Sequence, residues 1–281
     1  MSSQEESKFG IVLVAYGSLS AKARGTYDEI KVIFEAEFPG AKVEIAFTGD
    51  VIRKRLAVKG ILIPNPLTAL ANLQDRGCKE VVVQFFHIAP AGEFHDLAGL
   101  VRGLNGVGGT FGFKRLDLGM PLLASKNDCE RVSLALTSQF GIVGGASGDE
   151  SRDPKKVAVV LMGHGTNHPG DSTYALMARI LERDHQNVFL GTLDGFWGVK
   201  DVLEEVKSSG AKRIKLMPFL LVAGAHALKD MAGEKEESWA RLFEEAGFKT
   251  DVNVEGLGED PKIIKVFVDH AKTASGDSGS V

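Results

Sequence analysis

His164, Asp194 and His226 are the residues on which chemistry can be built: two imidazoles and a carboxylate, spaced 30 and 32 positions apart. Each follows an apolar run that reads as a buried strand. VAVVLM (157–162) ends in Gly-His-Gly-Thr, the strand at 187–193 ends in Asp194-Gly195, and LMPFLLVAGA leads into His226. Open parallel sheets bind ligands at the carboxyl ends of their strands, so all three side chains are expected along one sheet edge. Two histidines and a carboxylate suit a divalent transition ion with open positions and argue against an all-oxygen calcium or magnesium cage. The glycines flanking His164 leave room for a large flat ligand or a metal to approach the ring. Taken singly, each residue has a plainer reading. His164 can be a turn histidine bonded to backbone, Asp194 a helix cap before 196–206, and His226 a helix-start histidine packed on glycine.

Alternating strands and amphipathic helices must position these residues. In the first half, strands are expected at 11–15, 42–47, 80–86 and 113–118. The first helix is expected to start at a Thr26 cap and end at Pro39-Gly40, with others at 50–58, 66–76, 93–102 and 128–140. The second half repeats the order, with strands at 157–162, 187–193, 212–218 and 248–254, and helices at 172–184, 199–209, 229–246 and 261–273. The repetition reaches individual residues. GCKEVVVQFFHIAPAGE (77–93) lies without gaps on GAKRIKLMPFLLVAGAH (210–226), and IVLVAYGS (11–18) on VAVVLMGH (157–164). The expected fold is therefore α/β: two similar doubly wound parallel-sheet domains related by internal duplication, with a cleft between them. The boundaries expected are 1–140 for the first domain, a Gly, Ser and charge-rich linker at 141–156, and 157–281 for the second. In this register Ser18 and Glu93 take the places of His164 and His226, and a site built from both halves is expected.

Composition narrows the function classes. A chain of 281 residues with 44% hydrophobic and 25% charged residues is a soluble globular protein with room for two cores. A net charge of -4 gives no basic excess and argues against nucleic acid as the main partner. Cys78 and Cys129 have no CxxC or Cys/His spacing and read as reduced thiols. The polar, acidic start reads as neither a signal peptide nor a membrane span, so a cytoplasmic protein is expected. Arg53, Lys54 and Arg55, after a strand end, and Lys229, near His226, are candidates for binding an anionic ligand; the alternative is a solvated helix face.

Several motifs occur in a fixed order: YGS at Tyr16, FTGDVIRKRL at Phe47, HIAPAGEFHDL at His87, MGHGTNHPGDSTY at Met162 and the AGAHALKDMAG segment around His226. This set resembles the class II tetrapyrrole chelatases, specifically the anaerobic cobalt chelatases of the CbiK family, over nearly the whole chain. The resemblance implies ATP-independent insertion of Co2+ into sirohydrochlorin, or its reduced precursor precorrin-2, in cobalamin synthesis. It places the metal on His164, Asp194 and His226, with Asp194 where the family has glutamate, one methylene shorter. His164 would act as base and ligand, and Glu93 as proton acceptor. A carboxylate-rich macrocycle implies a rim of Arg53, Arg55 and Lys229, with Ser18 beside it. No nucleotide or redox cofactor is required beyond the substrate metal, and family members are commonly homo-oligomers. Fe2+ insertion toward sirohaem is the nearest alternative, followed by a non-catalytic carrier of metal or tetrapyrrole and by a two-lobed solute receptor. His95, on an early helical turn, could ligate a haem iron or an extra metal. His87 reads as a hydrogen-bonded core histidine.

Overall fold

The computed structural model describes residues 9–140, 156–224 and 227–276. Four strands, β1 (Phe9–Ala15), β2 (Lys42–Phe47), β3 (Glu80–Phe85) and β4 (Arg115–Gly119), form a parallel sheet in the order β2-β1-β3-β4. A second parallel sheet repeats that order as β6-β5-β7-β8, from β5 (Val157–Gly163), β6 (Val188–Thr192), β7 (Arg213–Phe219) and β8 (Lys249–Val252). Every residue of β5 and nearly every residue of β1 is buried. That is the condition of a central strand covered on both faces, and it explains their unbroken apolar runs. The connecting helices are α1 (Ala21–Glu37), α2 (Asp50–Val58), α3 (Pro66–Asp75) and α4 (Gly92–Asn105), then α5 (Lys126–Phe140), α6 (Ser172–Asp184), α7 (Val199–Ser209), α8 (Trp239–Glu245) and α9 (Pro261–Ser275). In the first core Val12, Val14 and Phe85 meet Leu70, Leu73 and Leu97; in the second Val160, Met162 and Leu216 meet Val202, Trp239 and Phe243. Each such buried side chain contributes about 1.5–3 kcal/mol. The α/β class and the duplicated parallel sheets are as the sequence implies. No helix among the described residues is long and apolar enough to cross a membrane.

The compact units differ from the two halves of the chain. One comprises residues up to Leu122 together with those from Ile264 onward, and the other runs from Leu123 to Ile263. Helix α5, expected to close the first half, packs on α6 in the second unit. There Ser133 Oγ donates to Asp184 Oδ2 at 2.9 Å, and Arg183 Nη1 donates to Glu130 Oε1 at 2.9 Å. Helix α9 returns to the first unit, where Phe267 packs on Phe86 with ring centroids 4.7 Å apart and Lys272 pairs with Glu37. The expected linker lies outside the described residues except for Lys156.

Two helices differ from expectation. Helix α1 starts at Ala21, where the Ser20 side chain accepts from Ala23 N; Thr26, expected as the cap, is buried in mid-helix. The single helix expected at 229–246 is instead a π-helical turn (Ala227–Met231), an irregular stretch, and α8 behind a Ser238 cap. The break falls at Gly233, where a Cβ would lie 2.2 Å from Lys229 O.

The sheets also correct the alignment of the repeats. Phe9 pairs with Glu80 and Val157 with Arg213, and Glu80 and Arg213 correspond in the gapless match of 77–93 to 210–226. Phe9 is therefore the counterpart of Val157, and Tyr16, not Ser18, is the counterpart of His164. The turns agree, with Gly17 at φ 98° and Gly165 at φ 72°. The buried phenols of Tyr27 and Tyr174 are hydrogen-bonded with the backbones of Gly17 and Gly165 and pushed above their ordinary pKa by burial. A slip of two residues leaves every side chain on its original sheet face, so apolar alternation cannot reveal it.

Candidate functional site

His164 is the first residue past β5 and Asp194 the second past β6. Thr192 at the end of β6 pairs with Gly163, and the backbone ladder continues beyond the sheet: Leu193 N donates to Gly163 O at 3.1 Å and Asp194 N to His164 O at 2.9 Å. The glycines make this approach possible. A Cβ on Gly163 would meet Tyr174 Cε1 at 2.8 Å, and one on Gly165 would meet Thr192 Cβ at 2.5 Å and Gly195 N at 2.6 Å. The loops carrying His164 and Asp194 are thus in backbone contact, and the imidazole Nδ1 lies 3.6 Å from Asp194 Oδ2. Both side chains are open to solvent, 47% and 66% exposed. His164 Nδ1 is 3.2 Å from Gly165 O. A carbonyl only accepts, so Nδ1 donates in this contact, and in a neutral ring the lone pair then falls on Nε2, the atom suited to a metal.

Asp194 does not cap α7, whose N-cap is Gly198 with its N–H donating to Asp201 Oδ2 at 2.9 Å. Its carboxylate faces a cavity of about 310 Å³ that Lys229, Asp230, Lys235 and Glu237 also line. Phe196 and Trp197 follow Asp194 in the same loop and are 65% and 50% exposed. The Trp197 indole N–H bonds to Glu205, a carboxyl whose pKa burial pushes up. His226 lies outside the described residues. Among the described residues no group of three or more His, Cys, Asp or Glu side chains is arranged to hold a metal.

Residues 9–276 match the profile of the cobalt chelatase (CbiK) family. The chain belongs to that family. It is 34% identical over 267 residues to the sirohydrochlorin cobaltochelatase CbiKC of Nitratidesulfovibrio vulgaris (Hildenborough), covering 95% of this chain and 90% of the relative. The sirohydrochlorin cobaltochelatase of Salmonella typhimurium is 33% identical over 240 residues, 85% of each chain. In fold the chain is similar to Bacillus subtilis SirB, solved with Fe3+, at a TM-score of 0.64, 17% identity and 98% coverage of both chains.

The remaining candidate residues of this chelatase-family chain fall into four groups. In the first unit Glu93 lies in the first turn of α4; its Oε2 accepts from Thr48 Oγ1 at 3.3 Å and sits 3.2 Å from His87 Nε2. The His87 ring stacks on Phe85 with centroids 4.0 Å apart. His87 thus belongs to a Thr-His-Glu cluster at the end of β3, which the reading of it as core overlooked. Its place six residues before Glu93 in HIAPAGE was the available signal. Ser18 is buried and its Oγ accepts from Ser20 N at 3.2 Å, so a turn holds the hydroxyl expected to face substrate; Tyr16, half-exposed, takes the edge position instead. Arg53 and Lys54 pair with Asp50 on their own helix at 3.2 and 2.7 Å, whereas Arg55 and Lys229 are exposed. His95 is exposed on α4, its ring edge-on to Phe94.

Proposed function

We propose that this protein inserts Co2+ into sirohydrochlorin, or precorrin-2, without ATP, as a step of anaerobic cobalamin synthesis. The observation that carries the reading is the pairing of His164 with Asp194 at the carboxyl edge of the second sheet, in a chain of the cobalt chelatase family. Metal insertion requires an ion to exchange water for four pyrrole nitrogens while two N–H protons leave. A protein accelerates this by holding the ion loosely against the macrocycle and by accepting protons. His164 Nε2 takes the ion, Asp194 supplies carboxylate charge beside the same imidazole, and His226 is the second imidazole ligand. A neutral imidazole also accepts a proton once the ion has left. Lys229 and Lys235 meet the carboxylates of the macrocycle, and Phe196 and Trp197 offer ring faces to its flat surface. Glu93, supported by Thr48 and His87, is the second proton acceptor; Arg53 and Arg55 add cationic charge in the first unit.

The test is anaerobic absorbance spectroscopy of sirohydrochlorin with Co2+ or Fe2+, with and without protein. Acceleration by the wild type, greater for Co2+, and its loss in His164→Ala is the expected result. Stoichiometric binding without acceleration would identify a carrier, and faster insertion of Fe2+ a ferrochelatase.

A further inference from the structure

Asp171 stands where a helix cap should be, yet makes no cap hydrogen bond to α6. The residue is 3% exposed, and its carboxylate divides between the two loops of the candidate site: Oδ1 accepts from Thr166 N at 3.0 Å and Oδ2 from Phe196 N at 2.8 Å. Thr166 is two residues past His164, and Phe196 two residues past Asp194. We infer that Asp171 is a positioning residue that clamps the His164 loop to the Asp194 loop and so sets the separation of the two side chains. The inference rests on the metal site proposed above.

Three observations support a clamp rather than an incidental buried acid. Hydrogen bonds to an ionised acceptor are about twice as strong as neutral ones, and a buried carboxylate holds them without competition from water. The fit is close, because a Cβ on Gly195 would lie 2.5 and 2.6 Å from the two Asp171 oxygens; only glycine lets the second loop settle on the carboxylate. Finally, the device is confined to the unit with the metal-ligating pair. The counterpart stretch of the first unit, SLSAKAR (18–24), contains no carboxylate, and where Asp194 N meets His164 O, Gly49 N meets Tyr16 O at 3.0 Å. A clamp is thus present where two polar side chains must keep a fixed spacing and absent where they do not occur.

Groups that orient metal ligands typically change affinity about 10- to 100-fold when removed. Asp171→Asn keeps the side-chain shape but turns one acceptor into a donor facing a backbone N–H. The experiment is a double-mutant cycle of Asp171→Asn with Asp194→Ala, read by Co2+ titration, together with hydrogen exchange of the Thr166 and Phe196 amides in metal-free protein. The expected result is Co2+ affinity weakened about 10-fold or more in the wild-type background and less than about two-fold in Asp194→Ala, where no pair remains to be spaced. The Thr166 and Phe196 amides should exchange faster while amides of β7 do not. An equal loss in both backgrounds would mark a merely structural residue and overturn the clamp, as would unchanged affinity. If Asp171→Asn does not fold, Gly195→Ala, which presses on the same carboxylate, replaces it in the cycle with the same expectation. If wild type and His164→Ala bind Co2+ alike, the metal-site reading fails; the clamp is then decided by exchange alone, faster at both amides supporting it and unchanged rates overturning it.

Discussion

Gly195→Ala is the most sensitive mechanical perturbation of the site. The new methyl carbon would sit 2.3 Å from Thr192 Oγ1 and 2.5 and 2.6 Å from the Asp171 oxygens. Ordinary van der Waals contact begins at about 3.4 Å, so carboxylate and loop must separate by roughly 0.8 Å or more. Such a shift stretches the bonds from Thr166 N and Phe196 N, now 3.0 and 2.8 Å, to about 3.5 Å or more, beyond useful hydrogen-bond length. Overpacking of this kind costs about 1–3 kcal/mol, and weakening two bonds to a buried charged acceptor adds about 1–2 kcal/mol. The second unit should therefore lose about 3 kcal/mol of stability, a fall in its thermal midpoint of roughly 6–12 °C. Differential scanning calorimetry reads the transition, and Co2+ titration of the folded variant should show weakened binding. A midpoint within a degree of wild type, with both amides still protected from exchange, would mean that the loop yields freely and would refute the argument from close packing.

Phe196→Ala and Trp197→Ala should each raise KM for sirohydrochlorin about five-fold, the equivalent of about 1 kcal/mol of ring contact, while leaving Co2+ affinity unchanged; equal KM values would remove these rings from the substrate surface. The Asp184 carboxyl is held below its usual range chiefly by the hydrogen bond from Arg183, with a smaller contribution from Ser133 and with burial opposing. A carboxyl with a lowered folded pKa contributes stability that is present above its unfolded value of about 4 and is lost as pH falls through the folded value. Wild type should accordingly be more stable than Asp184→Asn at about pH 6, the gap shrinking as pH falls below about 4, as followed by denaturant melts; a pH-independent gap would contradict this. Cys129 is fully buried, and burial first, then the neighbouring Asp128 charge, pushes its thiol up to about 11. Neither it nor the equally buried Cys78 should react with a thiol reagent at neutral pH in the folded protein, and prompt modification would show local opening.

The sheets were legible in the sequence because β1 and β5 are buried on both faces and leave unbroken apolar runs, with shorter apolar stretches in β3 and β7. The α5 and α9 assignments were not, since an amphipathic stripe states that a helix needs a covering surface without stating which sheet provides it. Ser20 was missed as a cap because AKARG, the first residues of α1, shows no apolar period until Tyr27. At the site, the nearness of His164 and Asp194 followed from two strand ends in one parallel sheet. The work of Asp171 did not follow, because an acid before Ser-Thr-Tyr at a helix start reads as an ordinary cap. Only coordinates show its oxygens turned away from α6 toward two loops 30 residues apart in sequence. The counterpart of His164 was misplaced onto Ser18 for the same kind of reason: local pattern specifies faces, and pairing specifies position.

The return of α9 has a consequence for the order in which the protein matures. Residues 123–263 form one uninterrupted unit, whereas the other unit needs the partners of Phe86 and Glu37 that lie at Phe267 and Lys272. During synthesis the later-encoded unit can therefore finish first, and the earlier one waits, with the Phe86 flank uncovered, until α9 has been made. A nascent chain halted shortly before Ile264 should expose that flank to chaperones, although every strand of both sheets has already been made.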